Sequence, residues 1–408
     1  MALQKKNKSI GLMSGTSMDG IDAALIETDG KTMITAMGHY SLTYDKNMQL
    51  YLKAAERAVR RYAGNITLAK KHYPDILTEY VTEELKITHS LPVMDFSEVE
   101  NQSTQLHYAA VNALLQQMQL KPTEIDVIGY HGQTLFHSPA LKISIQMGDG
   151  RWLAQKTGIP VVNHFREADI LAGGQGAPFA PLYHYALALR DHQFPLVVIN
   201  CGGIANITVM SEPHEHGLQG FDTGPGNGLV DRFVQQRTHG QYAMDKDGHF
   251  GRKGKMHQDV LERLYEKSIK TDRENYFCRK PPKSLDIGEL QLIPELDALS
   301  IEEGCATLEA FTADTIVNSI PPHITKCILA GGGWHNPVIR AELDKRLRKK
   351  CGENLFVAIA DEIGWNSQAM EAELFAYLAV RRILGLPTSF PGMTGVREPL
   401  SGGVIHYS

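Results

Sequence analysis

The chain has 408 residues, 43% hydrophobic and 21% charged, with a formal net charge of -5. That length exceeds one ordinary core and predicts two domains. The mild acidity and the lack of a long basic block argue against a nucleic-acid partner, and no apolar run is long enough to span a membrane.

In chain order, Ser9 to Met13 reads as a strand entering the turn SGTSMDG, and IDAALIETD and TMITAMGHYSL supply two more strands. Residues 48–90 carry apolar positions at helical spacing, and 104–118 form a second amphipathic helix. IDVIGYHGQT and ISIQMGD read as strands, GRWLAQKTG as a short helix started by Asp149, and IPVVNHF as a strand. READILAGGQGAPFAP is too glycine-rich for a regular element, so a loop is expected. LVVINCGGIANITVM, 196–210, repeats the opening pattern of strand, small-residue turn and strand. GFDTGPGN reads as a rigid turn, with Asn227 capping a helix that begins near Leu229. Residues 245–290 look polar and irregular. A helix over 303–319, a strand, glycine turn and helix over 324–347, the strand NLFVAIA, a long helix over 367–385 and a loop-like tail complete the chain. The reading is an α/β protein of two domains with a ligand cleft between them.

The five cysteines, Cys201, Cys278, Cys305, Cys327 and Cys351, are scattered and odd in number. This is the pattern of a reduced, cytoplasmic protein rather than a disulfide framework. The apolar run 10–13 ends at once in SGTS, so no signal peptide is expected.

Three glycine turns could receive a ligand, two of them as phosphate nests. Gly15, Thr16, Ser17, Met18, Asp19 and Gly20 combine exposed backbone N–H groups with hydroxyl donors, and Asp19 could hold Mg²⁺ directly or through water. An ordinary hairpin turn with local hydrogen bonds is the alternative. Asn200, Gly202, Gly203 and Asn206 offer a second nest, and two such hairpins from two domains could grip one polyphosphate. Gly331, Gly332, Gly333 and Asn336 let the backbone approach a flat ligand, or simply form a helix-entry turn. G-x-x-x-x-G-K-[ST], G-x-S-x-G and zinc-ligand spacings do not occur.

Other candidates are polar residues at strand ends and in loops. His131 reads first as a structural histidine, with substrate contact as the second option. Arg166 and Asp169 could form an ion pair or bind a sugar-like ligand. Cys201 lacks a neighbouring base in sequence and reads as a small buried hydrophobe. Asp222 either shapes its turn or takes a proton.

Together these stretches resemble the 1,6-anhydro-N-acetylmuramic acid kinase family. SGTSMDGID, GYHGQT, FREADILAGGQGAP, NCGGIAN, GFDTGPGN, PPKS, AGGGWHN and EAELFAYLA occur in that family's order over about 10–403. The resemblance implies the sugar kinase, Hsp70 and actin fold, with domain I at 1–165 plus about 380–408 and domain II at 166–379. It implies ATP and Mg²⁺ as cofactors, an anhydrosugar as substrate and a homodimer, for which no sequence feature marks an interface. The activity implied is hydrolytic opening of the anhydro ring coupled to phosphorylation of the 6-oxygen, a step of cell-wall sugar recycling. Asp222 matches the family's general base, and His131, Thr134, Arg166, Asp169 and Glu371 match positions near the sugar.

Three stretches depart from the family's pattern. His164 stands where an Asp usually precedes Phe-Arg, PPKSLDIGE replaces PPKSTGRE at 281–289, and GWNSQAM replaces a proline-rich turn. They bear on substrate choice, with levoglucosan as the alternative anhydrosugar. A kinase acting on a free hydroxyl and a non-catalytic ATP-binding module are the remaining alternatives.

Overall fold

The first predicted strand is β1 (Asn7–Ser14), and it opens an antiparallel meander with β2 (Gly20–Thr28) and β3 (Ile34–Thr43). The computed structural model describes residues 6–85, 92, 94–270 and 274–408. It divides into one unit of residues 1–190 with 368–408 and a second unit of 191–367.

In the first unit the meander is followed by α1 (Lys46–Arg61), α2 (Ile66–Leu85) and α3 (Phe96–Met118). The predicted helix over 48–90 is therefore two helices, broken where Ala63 and Gly64 adopt positive φ, and its end at 86–90 lies outside the described residues. α3 starts earlier than its apolar pattern suggests. Asp95 accepts from the Glu98 N–H at 2.9 Å and Glu98 returns a bond to the Asp95 N–H at 2.6 Å, a capping box that extends the helix over polar residues. The chain continues through β4 (Val127–Ser138), β5 (Ile143–Met147), α4 (Gly150–Thr157), β6 (Val161–Asn163), α5 (Glu167–Leu171) and α6 (Ala180–Arg190). α5 and α6 occupy part of the stretch expected to be loop.

The second unit contains β7 (Leu196–Cys201), β8 (Ile204–Met210), β9 (Gln219–Pro225), α7 (Gly228–Arg237), α8 (Gln258–Lys267), α9 (Ile301–Asn318), β10 (Lys326–Ala330), α10 (Pro337–Cys351) and β11 (Phe356–Ile359). α8 is a regular helix inside the segment expected to be irregular. The chain then returns to the first unit as α11 (Met370–Ile383), α12 (Pro391–Thr394) and β12 (Val404–His406).

The two sheets share one topology. In the first, β3-β2-β1-β4-β6 runs as an antiparallel meander joined to two parallel strands, with β12 at the edge and β5 on β4. In the second, β9-β8-β7-β10-β11 repeats that order and those directions. This duplicated plan is the two-domain actin-like α/β fold, and it explains why the two glycine hairpins look alike in sequence: each is the first hairpin of its sheet.

α11 fixes the first unit's centre. Gly11 of β1 and Gly129 of β4 are register partners. A Cβ on Gly11 would strike the Ala372 carbonyl, and one on Gly129 the Phe375 carbonyl, so the helix backbone lies directly on the glycine pair. The Ser9 hydroxyl adds a 2.9 Å bond to the Ala376 carbonyl. Around this contact Ile10, Leu12 and Ile128 are fully buried, each contributing about 1.5–3 kcal/mol. α6 joins the same unit through the Tyr183 hydroxyl, which donates to buried Glu373 at 2.8 Å. These contacts put the unit's limits at 190 and 368 rather than at 165 and 380. Arg166, Asp169 and Glu371 accordingly belong to the first unit.

Candidate active site

Asp222 stands in strand β9 rather than in a loop. The β8–β9 register sets it opposite Asn206, and the β7–β8 register sets Asn206 opposite Asn200. Directly opposed residues project from one face of a sheet, so these three polar side chains form a row across three strands. The ladder shifts register between Ala205 and Asn206, leaving Thr223 as the extra residue, and the resulting bulge aims Asp222. Gly-Pro-Gly disguised this strand as a turn.

Residues far along the chain hold Asp222. Its N–H donates to the Lys283 carbonyl at 3.0 Å, its carbonyl accepts from the Tyr276 hydroxyl at 2.7 Å, and its Oδ2 accepts from the Leu285 N–H at 2.8 Å. No hydrogen bond from the described residues reaches Oδ1. Withdrawal from water pushes the carboxyl up to about 7, while the Leu285 N–H and the Lys283 ammonium pull it down. Sequence reasoning missed Tyr276, Lys283 and Leu285. The PPKSLDIGE segment drew notice there as a departure from the family, but nothing local connects it with Asp222.

The GPGN stretch fastens the second glycine turn. The Asn227 N–H donates to the Gly202 carbonyl at 2.7 Å, and the Gly226 and Gly228 N–H groups donate to the Gly203 carbonyl at 2.9 and 3.0 Å. A Cβ on Gly226 would collide with the Gly202 carbonyl. Asn227 occupies the cap position of α7, but its side chain makes no capping bond and the helix begins at Gly228. Gly331 has φ +88°, and a Cβ there would meet Asn200 and Cys201, while one on Gly333 would meet the Cys201 side chain. Cys201 is therefore packing material, and burial pushes its thiol up to about 12. Gly332 is exposed with open space around it.

Asn336 was expected at the nucleotide, yet its side chain is committed internally. Its Nδ2 donates to buried Glu309 at 2.6 Å, and its Oδ1 accepts from the Val338 N–H at 2.9 Å to cap α10.

In the first unit, the turn after β1 leaves Thr16, Ser17 and Asp19 exposed. Met18 has φ +54° and a buried side chain, so it anchors the turn in the core instead of facing a ligand. The Gly15 carbonyl accepts from the Met18 N–H at 3.1 Å and from Gln133 Nε2 at 2.9 Å. Ser14 in turn donates to Gln133 Oε1 and pairs with the Tyr44 hydroxyl at 3.0 Å, tying the turn to β4. A Cβ on Gly20 would meet the Leu42 carbonyl. Ser17 donates to Asp19 Oδ1 at 2.7 Å. Among the described residues no group of three or more His, Cys, Asp or Glu side chains could hold a metal. One exposed carboxylate suits Mg²⁺ that arrives on nucleotide phosphates, not a site built by protein alone.

Arg166 donates to His131 Nε2 at 2.9 Å and to the Gly176 carbonyl at 2.7 Å. Burial lowers the guanidinium to about 10, partly offset by Glu371 and Asp169. His131 is 4% exposed, and the side chains it meets include Arg166 and the Phe375 ring. Glu371 at the start of α11 is open to solvent, yet enough protein surrounds it that poor solvation raises its carboxyl. Arg166 counters the rise, and Asp22, another residue the sequence reading passed over, adds to it. Asp169 accepts from the Gly176 N–H and from the Thr394 hydroxyl, both at 2.6 Å, and is 1% exposed. One oxygen thus holds the glycine loop and the other α12, and neither is left for an ion pair with Arg166 or an open contact with a sugar. Thr134 is half-buried and accepts from Gln146 of β5 at 3.4 Å.

The model of the anhydro-N-acetylmuramic acid kinase family matches residues 56–408. Among curated relatives, an anhydro-N-acetylmuramic acid kinase of Zymomonas mobilis subsp. mobilis is 39% identical over 402 residues, covering 98% of this chain and 99% of its own. The enzyme of that name from Rhizorhabdus wittichii is 39% identical over 404 residues, with 98% and 99% covered. Among solved structures, a ROK hexokinase from Thermus thermophilus aligns at TM-score 0.41 and 12% identity over 92% of this chain and 99% of its own. With a family model matched over most of its length and relatives at this identity and coverage, the chain belongs to the anhydro-N-acetylmuramic acid kinase family.

Proposed function

We propose that this protein is an ATP-dependent kinase that opens the 1,6-anhydro ring of anhydro-N-acetylmuramic acid with water and phosphorylates the freed 6-oxygen. The observation that carries the reading is Asp222: a half-buried carboxyl, raised to about 7, with one oxygen fixed by a backbone N–H and the other free of hydrogen bonds among the described residues. Near neutral pH such a group is partly ionised and can both take and release a proton.

In this reading a water is oriented at Oδ1. Its oxygen bonds to the anomeric carbon as its proton passes to Asp222. The bond from that carbon to the 6-oxygen breaks, and the electron pair left on the oxygen attacks the γ-phosphorus as the bond to ADP breaks. The products are N-acetylmuramic acid 6-phosphate and ADP, with the proton on Asp222. A positioned base contributes roughly 10²–10⁴-fold. Arg166 and Glu371 in the first unit offer a cation and an acceptor for the sugar's carboxylate and polar groups. The glycine turns at 15–20, 202–203 and 331–333 offer backbone donors and open space to the nucleotide. Mg²⁺, carried in with ATP and met by Asp19, would offset phosphate charge.

A substrate panel tests the reading. Anhydro-N-acetylmuramic acid should drive ADP release with Mg-ATP, levoglucosan should do so far more weakly, and N-acetylmuramic acid with an open ring should not. Equal turnover on the open-ring sugar would overturn it.

A further inference from the structure

The segment 276–285, a strap that grips Asp222, carries a cation whose place is built by the strap itself. The Lys283 ammonium lies 4.6 Å from the Tyr276 ring centroid and donates to the Tyr276 carbonyl at 3.3 Å. Tyr276 holds the Asp222 carbonyl through its hydroxyl, and the Lys283 carbonyl holds the Asp222 N–H. Two residues later, Leu285 takes Oδ2. Lys283 is thus half-buried, with its backbone on the base and its side chain on Tyr276, which itself holds the base.

We propose that Lys283 is a positioning residue for Asp222: its carbonyl holds the Asp222 N–H, and its ammonium, seated on the Tyr276 ring and carbonyl, keeps the strap on the base. The inference rests on the reading of Asp222 as the base.

The charges that bear on this arrangement are few. Lys283 and the Leu285 N–H favour the ionised form of Asp222 against the cost of burial. Tyr276 is held protonated by burial and by the Asp222 charge. Burial lowers the Lys283 ammonium most, Arg279 also lowers it, and Cys278 and Asp222 raise it. Loss of the Lys283 charge leaves desolvation opposed by one N–H. Asp222 then ionises at higher pH, and less of it is active under mildly acidic conditions. A lysine with a merely structural role would change stability or overall rate without moving that titration.

The test is the ionisation of Asp222 in the full-length protein. The carbon-13 resonance of its carboxyl, assigned by its loss in Asp222→Asn, is followed from pH 5 to 9 in wild type, Lys283→Met and Lys283→Arg. Lys283→Met should titrate at higher pH than wild type, and its kcat/KM at pH 6 should fall by roughly tenfold, with a smaller loss at pH 8.5. Lys283→Arg, which keeps charge and ring contact, should restore most of both. If Lys283→Met does not fold, Lys283→Gln carries the same comparison. An Asp222 titration unmoved by loss of the charge would overturn the proposal. Failure of the base assignment would appear separately, as full turnover in Asp222→Asn, because the resonance reports on the carboxyl whether or not it is the base.

Discussion

Arg166 donates a 2.9 Å hydrogen bond to Nε2 of His131. A guanidinium against this ring nitrogen requires the nitrogen to be an acceptor, so the imidazole is neutral and carries its proton on Nδ1. Burial first, and the Arg166 charge second, hold its pKa well below the usual histidine value. His131, which reads from sequence first as a structural histidine, is thus bonded to Arg166.

His131→Phe should therefore loosen Arg166 without touching Asp222. Losing a hydrogen bond to a charged group costs about 1.5–3 kcal/mol. The KM for the anhydrosugar should rise roughly ten- to a hundredfold, and kcat should fall less. His131→Gln, which keeps an acceptor, should recover part of the loss. Steady-state kinetics at saturating ATP make the comparison, and an unchanged KM would remove His131 from this role.

Asp222→Asn should lower kcat by about 10²–10⁴ and leave the affinity for ATP near the wild-type value, as measured by calorimetry. In the wild type, kcat/KM should rise with pH through about 7 as Asp222 ionises. The base works only when deprotonated, so activity is lost on the acid side. A profile flat from pH 5.5 to 8 would contradict the assignment.

Glu309 is fully buried, and burial together with the Asp245 charge pushes its carboxyl up to about 9. Unfolded, it would titrate near 4.3. Between those values the folded state holds a proton that the unfolded state has lost, so wild-type stability falls as pH rises from about 4 to about 9. Glu309→Gln keeps an acceptor for Asn336 and removes the titration. Its melting temperature should gain on the wild type as pH rises from 5 to 8. Glu309→Ala leaves Asn336 unpaired and a cavity behind, and should lose about 2–4 kcal/mol in urea unfolding.

Gly11→Ala places a methyl group into the Ala372 carbonyl. The helix that presents Glu371 must shift or the strand must bend, at about 1–3 kcal/mol. A lower urea midpoint with a raised KM for the sugar is expected. Gly217→Ala, where a Cβ meets nothing, serves as the comparison and should cost far less.

Much of the fold was legible because period and turn chemistry are local. The meander, the second hairpin, α9, α10 and α11 all follow from apolar spacing bounded by glycine or a cap. Misreadings arose where local chemistry and tertiary context disagree. Gly224, Pro225 and Gly226 read as a turn, but pairing with β8 makes Gly224 and Pro225 the end of a strand, and the chain bends only at Gly226 and Asn227. α3 runs back over polar residues because Asp95 and Glu98 cap it. α8 sits in a stretch whose charge suggested irregular chain. The glycine turns and Asp222 stand out in the sequence because their residue types suit the proposed chemistry. What Asp169, Asn336, Met18 and His131 do could not, since their partners Thr394, Glu309, the core and Arg166 are remote in the chain. The hold of Leu285 on Asp222 was hidden for the same reason.

The central claim is that water, activated by Asp222, opens the ring while the 6-oxygen takes the phosphoryl group. Turnover of anhydro-N-acetylmuramic acid with Mg-ATP in oxygen-18 water, followed by mass spectrometry of the product, tests it most directly. One heavy oxygen should appear on the anomeric carbon and none in the phosphoryl group. A phosphorylated product without label and with its anhydro ring intact would contradict the account.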